Sequence, residues 1–360
     1  MRCLALLTLG IVLMSITPLA TAESPDTPLG KLEAHLRSGE IPQVHAVVVV
    51  QHGKTIAEWY LEGSNWILGK SIGNVKFAAG TLHDIRSVTK SVVSLLFGIA
   101  VAEGAIKNLD APVLDYFPEY QDLRTPERLK IRLRDLLSMT SGFAWDERTY
   151  PYSDRRNSEI AMAISPDPYR YVLSQKIEAT PGTRWTYSGG DVELIGAILK
   201  RATGMDLSTY AQHRLFAPLS ISQFEWSKNN SPKQGAVEAA ASGLRLTPRD
   251  MAKIGLLVLN GGRYEGKQVV PEAWVKEATA RHAQVEPDPE CGMRYGYFFW
   301  LGPGCANKTP WIAGIGNGGQ RIWVAPTKDL VIAWTMGLYD DPRQGKAATD
   351  LLQAILEAIR

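Results

Sequence analysis

The chain has 360 residues, with 39 Lys plus Arg against 37 Asp plus Glu and a formal charge of +2. That balance excludes a strong electrostatic case for nucleic acid or an acidic membrane surface. A composition 45% apolar and 21% charged excludes disorder as the main state, and 3 Cys exclude a disulfide-built scaffold. The length suits one large domain or two intimate ones.

The N-terminus reads as a targeting segment. Leu4 to Met14 is an apolar run behind Arg2, and Ala20-Thr21-Ala22 has the small-x-small form that signal peptidase cuts. We expect a signal peptide over residues 1–22 and a single domain over 23–360, exported to the periplasm or the medium. A membrane anchor is the alternative, but the stretch is short for a full span and ends in Ser15, Thr17 and Pro18. No later stretch is long and apolar enough to span a bilayer, so no membrane span is expected in the mature chain. Cys291 and Cys305 would remain, either bridged or as two free thiols, because spacing alone does not fix their Cα geometry.

In chain order, Val44 to Val50 is a β-branched run, Gln51-His52-Gly53-Lys54 a turn, and Thr55 to Tyr60 a second strand. That is a hairpin. Residues 64–80 read as a loop. Ser91 to Ala102 is apolar almost all round and predicts a buried helix. Leu133 to Gly142 reads as a helix ending in a glycine stop. Val192, Ile195 and Leu199 repeat at helical spacing, and Thr247 to Leu259 is helical before Gly261-Gly262. Residues 285–289 read as a loop and Tyr295 to Leu301 as a strand. Arg321 to Ala325 and Leu330 to Met336 flank Pro326-Thr327-Lys328-Asp329 as a second hairpin. Leu351, Leu352, Ile355, Leu356 and Ile359 share one face of a last helix. Hairpins near both ends with helices between predict an α+β fold. The sheet is expected from about 40–100 and 290–360, and the helical part from about 101–289.

Ser87-Val88-Thr89-Lys90 is an S-x-x-K sequence, and positions three apart share a helix face. A serine hydroxyl is a weak nucleophile and needs an adjacent base. Lys90 can serve if burial or a nearby cation lowers its pKa. Alone, this pattern equally describes a helix start with a surface lysine. A rival lies at Gly69-Lys70-Ser71-Ile72-Gly73, which fits the G-x-S-x-G nucleophile elbow but lacks the strand before and the helix after that the elbow requires. The same Gly-Lys-Ser does not make a phosphate loop, because five residues separate Gly63 from Gly69 where that loop has four. The 6 His are scattered, without the spacing of a metal site, and no metal or cofactor is expected.

Three further segments change the weight of Ser87. These are Arg184-Trp185-Thr186-Tyr187-Ser188-Gly189, Leu133 to Gly142, and Gly316-Asn317-Gly318-Gly319-Gln320. With Ser-Val-Thr-Lys-Ser upstream, the order resembles the serine hydrolases related to class C β-lactamases, most like the branch of 6-aminohexanoate-dimer hydrolases and carboxylesterases. Asp110-Ala111-Pro112-Val113 and Thr247 to Ala252 also look like family segments. The resemblance covers nearly the whole chain after residue 22. It implies a β-lactamase and penicillin-binding-protein-like antiparallel sheet flanked by helices, with an inserted helical subdomain.

The resemblance implies Ser87 as nucleophile, Lys90 as its partner base and Tyr187 as the tyrosine of a Y-x-N element. A phenol must be depressed from its ordinary pKa to act as a base, and the Lys90 ammonium would do that. The oxyanion hole would use the amides of Ser87 and Asn317, with Gly316 or Gly318 if the register is off by one. Two departures stand out. Gly189 occupies the Asn position of Y-x-N, and no Lys-Thr-Gly is present, which counts against a β-lactamase. Arg321 is a candidate to replace the missing charge. Trp145, Trp185, Trp300, Trp311 and Trp323 lie near the motifs, as acyl-pocket walls or as core. The expected function is cleavage of small-molecule esters or amides through an acyl-enzyme. A β-lactamase or D-Ala-type peptidase, and a non-enzymatic binding member of the fold, are the alternatives.

Overall fold

The Val44–Val50 run is buried at every position because helices cover both faces of its strand. The computed structural model describes residues 25–67, 69–285, 292–303 and 309–360. The expected signal segment, Cys291 and Cys305, and residues 286–289 of the expected loop lie outside the described residues.

Helix α1 (Pro28–Ser38) starts at Thr27, whose hydroxyl accepts from Gly30 N at 3.0 Å, and stops at left-handed Gly39. Strands β1 (Val44–Gln51) and β2 (Lys54–Tyr60) form the expected hairpin. The next segment corrects the sequence reading. Residues expected as a loop form a second hairpin, β3 (Glu62–Ile67) and β4 (Lys70–Lys76). Strand β4 is exposed along almost its whole length, so it lacks the apolar alternation that marks a strand in sequence. Ser71 lies on this exposed strand with no helix following it, which removes the elbow reading.

Helices α2 (Val88–Ala102), α3 (Leu133–Leu137), α4 (Ser158–Ala163), α5 (Gly189–Thr203) and α6 (Pro248–Leu259) carry most of the middle of the chain. Helix α3 is shorter than expected. Ser138 Oγ donates to the Arg134 carbonyl at 2.8 Å, Thr140 N closes on the Asp135 carbonyl at 2.7 Å, and Met139 turns left-handed. The chain therefore leaves the helix before Gly142. The C-terminal part supplies β5 (Ala283–Gln284), β6 (Arg294–Tyr295), β7 (Trp300–Leu301), β8 (Ile312–Gly316), β9 (Gln320–Ala325), β10 (Leu330–Met336) and α7 (Gln344–Ala358). The expected single strand from Tyr295 to Leu301 is two short ones, reversed at left-handed Phe298, whose amide donates to the Leu137 carbonyl.

The eight strands lie in the order β5-β6-β7-β8-β9-β10-β1-β2, each pair antiparallel. One face presents Val48, Val50, Ile322, Val324 and Val331 to α2, α6 and the helical part. The other presents Val47, Val49, Trp323, Ile332 and Trp334 to α1 and α7. This is the expected α+β arrangement, a sheet between helices. Among the described residues, no helix is long and apolar enough to cross a membrane.

Helix α6 reaches the sheet through Gly255, where an added Cβ would lie 2.4 Å from Val331 Cγ1 and 3.1 Å from Ile322 Cγ2. Both neighbours are core side chains with no room to retreat. Gly255→Ala should therefore cost about 1–3 kcal/mol despite the better helix propensity of alanine, read as a lowered midpoint in urea.

Candidate active site

A short strand, His83–Asp84, runs into left-handed Arg86 (φ 50°), which turns the chain into α2 and leaves Ser87 at the helix N-terminus. Val88 N donates to the Ile85 carbonyl at 3.2 Å and Thr89 N to the Arg86 carbonyl at 2.9 Å, fixing that turn. The Arg86 guanidinium lies 4.9 Å over the Tyr339 ring.

Lys90, one turn into the helix, is 1% exposed. Its ammonium donates to Ser87 Oγ at 3.0 Å and to the Ala241 carbonyl at 2.9 Å. It stands 5.1 Å from the centroid of the Tyr187 ring. Tyr187 precedes α5, where Ser188 caps the helix by accepting from Asp191 N at 3.0 Å. Thr186 N donates to the Met139 carbonyl at 2.9 Å and ties this segment to the chain leaving α3. The structure thus brings Ser87, Lys90 and Tyr187 together from two distant parts of the sequence.

The electrostatics differ from expectation. Burial pushes the Tyr187 phenol up, the Lys90 ammonium pulls it down, and nearby Glu147 and Glu159 add to the rise. The net direction is upward, so the phenol is not depressed. For Lys90, burial lowers the pKa, but Tyr187, Glu159 and Glu147 together outweigh it and hold the ammonium above its ordinary range. Both groups therefore keep their protons near neutral pH.

Three carboxylates behind these groups escaped the sequence reading. Glu147 accepts from Trp145 Nε1, Tyr152 Oη and Gly189 N at 2.8, 2.9 and 2.6 Å. Glu159, at the start of α4, is pushed well up by burial and by Glu147. Glu193 on α5 accepts from Ala241 N at 2.9 Å and is raised to about 7 by burial. That bond fixes the segment whose carbonyl receives Lys90. Acidic residues in a helical stretch carry no spacing that separates buried from solvated ones, and no sequence signal marked these.

Strand β8 closes the site from the sheet. A Cβ on Gly316 would lie 2.3 Å from the Ile85 carbonyl and 3.2 Å from Ser87 N. Only glycine lets the strand come this near the start of α2. Residues 317–319 then turn into β9, with Gly318 and Gly319 both at positive φ. Gly318 is excluded as an oxyanion donor, because its amide donates to Gln344 Oε1 at 2.6 Å. The Asn317 side chain bonds Asp340 in both directions, Nδ2 to Oδ1 at 2.6 Å and Oδ1 from N at 2.9 Å.

The tryptophans divide. Trp185 and Trp300 pack on Tyr187, with ring centroids 6.2 and 5.8 Å away. Trp145 lies against Gly190 and bonds Glu147. Trp311 and Trp323 belong to the core on the other face of the sheet. Arg321 faces that side as well. Gly314 and Gly316 turn toward α2, so Ile315 points away, and Arg321 pairs with Ile315. Its guanidinium donates to the carbonyls of Gly316 and Gln320 at 3.1 and 2.8 Å, and burial lowers its pKa to about 10. From there the guanidinium still acts electrostatically on Tyr187. Among the described residues, no group of three or more His, Cys, Asp or Glu could hold a metal ion.

An α+β sheet flanked by helices, with a serine, a buried lysine and a tyrosine meeting at one helix start, describes a class of acyl-transfer proteins. The β-lactamase family model matches residues 31–356, and the chain belongs to that family. It is 24% identical over 348 residues to the 6-aminohexanoate-dimer hydrolase of Paenarthrobacter ureafaciens, spanning 90% of this chain and 79% of that protein. In structure it resembles a putative 6-aminohexanoate-dimer hydrolase from Bacillus anthracis, with a TM-score of 0.70, 20% identity, and 89% of this chain and 81% of that one covered. It also resembles a D-stereospecific amidohydrolase from Streptomyces, with a TM-score of 0.64, 17% identity, and 89% and 97% covered.

Gly316→Ala tests the approach of β8. The added methyl must push the strand from Ser87, so hydrolytic turnover should fall by about 10²–10³, the scale of loss when a preorganised site is displaced. A p-nitrophenyl ester assay beside a circular-dichroism melt separates that loss from unfolding.

Proposed function

We propose that the protein is an exported serine hydrolase that cleaves small-molecule esters or amides through an acyl-enzyme on Ser87. The observation that carries this reading is the Lys90 Nζ to Ser87 Oγ hydrogen bond of 3.0 Å inside a buried site that also holds Tyr187. In this reading the reactive form is the one in which the Lys90–Tyr187 pair has lost one proton; Ser87 Oγ then attacks the substrate carbonyl, and its proton passes to that pair. The developing oxyanion is received by the amides of Ser87 and Asn317 at the helix start and at the end of β8. Collapse breaks the ester or amide bond, and the same pair returns the proton to the leaving alcohol or amine. Water then cleaves the acyl ester and frees Ser87 with the acid product.

Trp185 and Trp300 give the acyl side an apolar wall, which favours substrates with an uncharged acyl chain. The 6-aminohexanoate-dimer hydrolase relative and the amidohydrolase neighbour support extending the reading to amides. The β-lactamase or D-Ala-type peptidase alternative is less well supported. Its Lys-Thr-Gly is absent. The expected signal over residues 1–22 is the basis for export.

Labelling with a fluorophosphonate probe followed by peptide mass spectrometry tests the nucleophile without the natural substrate. An adduct on Ser87, lost in a folded Ser87→Ala variant, is expected. Turnover of any ester by that variant at an unchanged rate would remove the reading. The pH dependence has a definite sign. Both base candidates hold their protons at neutral pH, so the deprotonated fraction grows tenfold per pH unit. The logarithm of kcat/KM should rise from pH 7 to 9 with a slope near +1. A flat profile there would show a base already deprotonated at pH 7, against the upward directions of Lys90 and Tyr187.

A further inference from the structure

Gly189 has no side chain, and two carboxyls fill the space. A Cβ built there would lie 2.5 Å from Glu159 Oε2 and 3.1 Å from Glu147 Oε2, so the two oxygens face one point. Glu147 is among the groups that raise the Glu159 carboxyl. Two carboxyls that converge on one point in a buried site do not both ionise, so they share a proton. Glu147 already accepts from Trp145, Tyr152 and Gly189, which is the pattern of an ionised acceptor. Glu159 therefore carries the shared proton, consistent with its upward direction.

The pair has charged and titratable neighbours on every side. Lys90 faces it from α2, Tyr187 from the segment before α5, and Tyr152 from the loop after Glu147. Glu193 approaches from α5, while Tyr295 and Asp191 stand on the Glu147 side. Arg321 is felt only through Tyr187. Lys90 is the cation that acts on the pair, and Glu147 also anchors the first amide of α5, two residues after Tyr187.

We propose that Glu147 and Glu159 are positioning residues of the hydrolytic reaction: a proton-sharing pair that fixes one negative charge beside Lys90 and Tyr187 and holds the start of α5. The inference rests on the Ser87 reading above. When the Ser87 proton reaches the Lys90–Tyr187 pair, the resulting cation is balanced by this fixed charge rather than by water. No proton leaves the carboxyl pair in that step. The pair occupies the place where the related motif carries an asparagine side chain.

The test follows the rate of fluorophosphonate labelling at Ser87 at pH 8, which needs no substrate and works for slow variants. At that pH the base is still mostly protonated, so the rate reports how tightly the proton is held. Glu159→Gln keeps one negative charge and one donor, so its rate should match the wild type. Glu147→Gln with Glu159→Gln removes the charge, and the rate should rise about tenfold, the effect of one pH unit. If the double variant does not fold, Glu159→Gln decides alone, because a tenfold faster rate there would mean that Glu159 carried the charge. A rate unmoved in the folded double variant, or raised in Glu159→Gln, with Ser87 labelled, would overturn the pairing alone. Absence of any Ser87 adduct in the wild type would overturn both the pairing and the reading it rests on.

Discussion

A lysine ammonium withdrawn from water must find acceptors and counter-charge in the protein, and the site around Lys90 is organised by that requirement. Ser87 Oγ and the Ala241 carbonyl take two of its donors. The Ala241 segment is in turn held by Glu193, and Leu244 N donates to Thr89 Oγ1 at 3.2 Å. Helix α2, helix α5 and the strand-like stretch after Trp226 are thus tied into one frame by the groups that surround the lysine. The acids that stabilise the ammonium also keep its proton in place. A base made this way is strong but seldom free, unlike one made available by isolation in an apolar pocket.

The second constraint is how near a sheet strand can come to a helix start. Strand β8 presents Gly314 and Gly316 to α2, and Gly316 passes within van der Waals range of the Ile85 carbonyl. The left-handed Arg86 backbone belongs to the same device, since it aims the helix N-terminus at that strand. Gln320 secures the strand ends by bonding both backbone groups of Met336. The turn and the buried glutamine together hold this glycine-rich stretch against β10.

Much of this was legible in the sequence for a physical reason. Ser87 and Lys90 are neighbours on a helix, and Tyr187 follows from the order of short motifs. The two hairpins of the central sheet announce themselves through apolar, β-branched-rich runs in β1, β9 and β10 that are buried on both faces. What stayed hidden depends on distant packing. The β3–β4 hairpin lacks an alternating apolar pattern and β4 is exposed, so residues 64–80 read as a loop. Helix α3 ends early because Met139 takes a left-handed conformation that no residue pattern requires. Glu147 and Glu159 are ordinary acids until α4 and the first turn of α5 enclose them. The direction of the Tyr187 shift is hidden for the same reason, since only Lys90 among its charged neighbours is legible locally.

The topology has a bearing on how the chain reaches this state. Strand β1 sits between β2 and β10, with Val47 opposite both Trp59 and Trp334. One of its partners is therefore made early and the other almost last. During synthesis, a nearly all-valine edge waits unpaired until the C-terminal strands emerge, and closure of the sheet brings together segments from opposite ends of the sequence. Such long-range closure is slow, and an open apolar edge pairs readily with another molecule of its kind. Recovery from denaturant should thus depend strongly on dilution, with self-association competing against the final entry of β10.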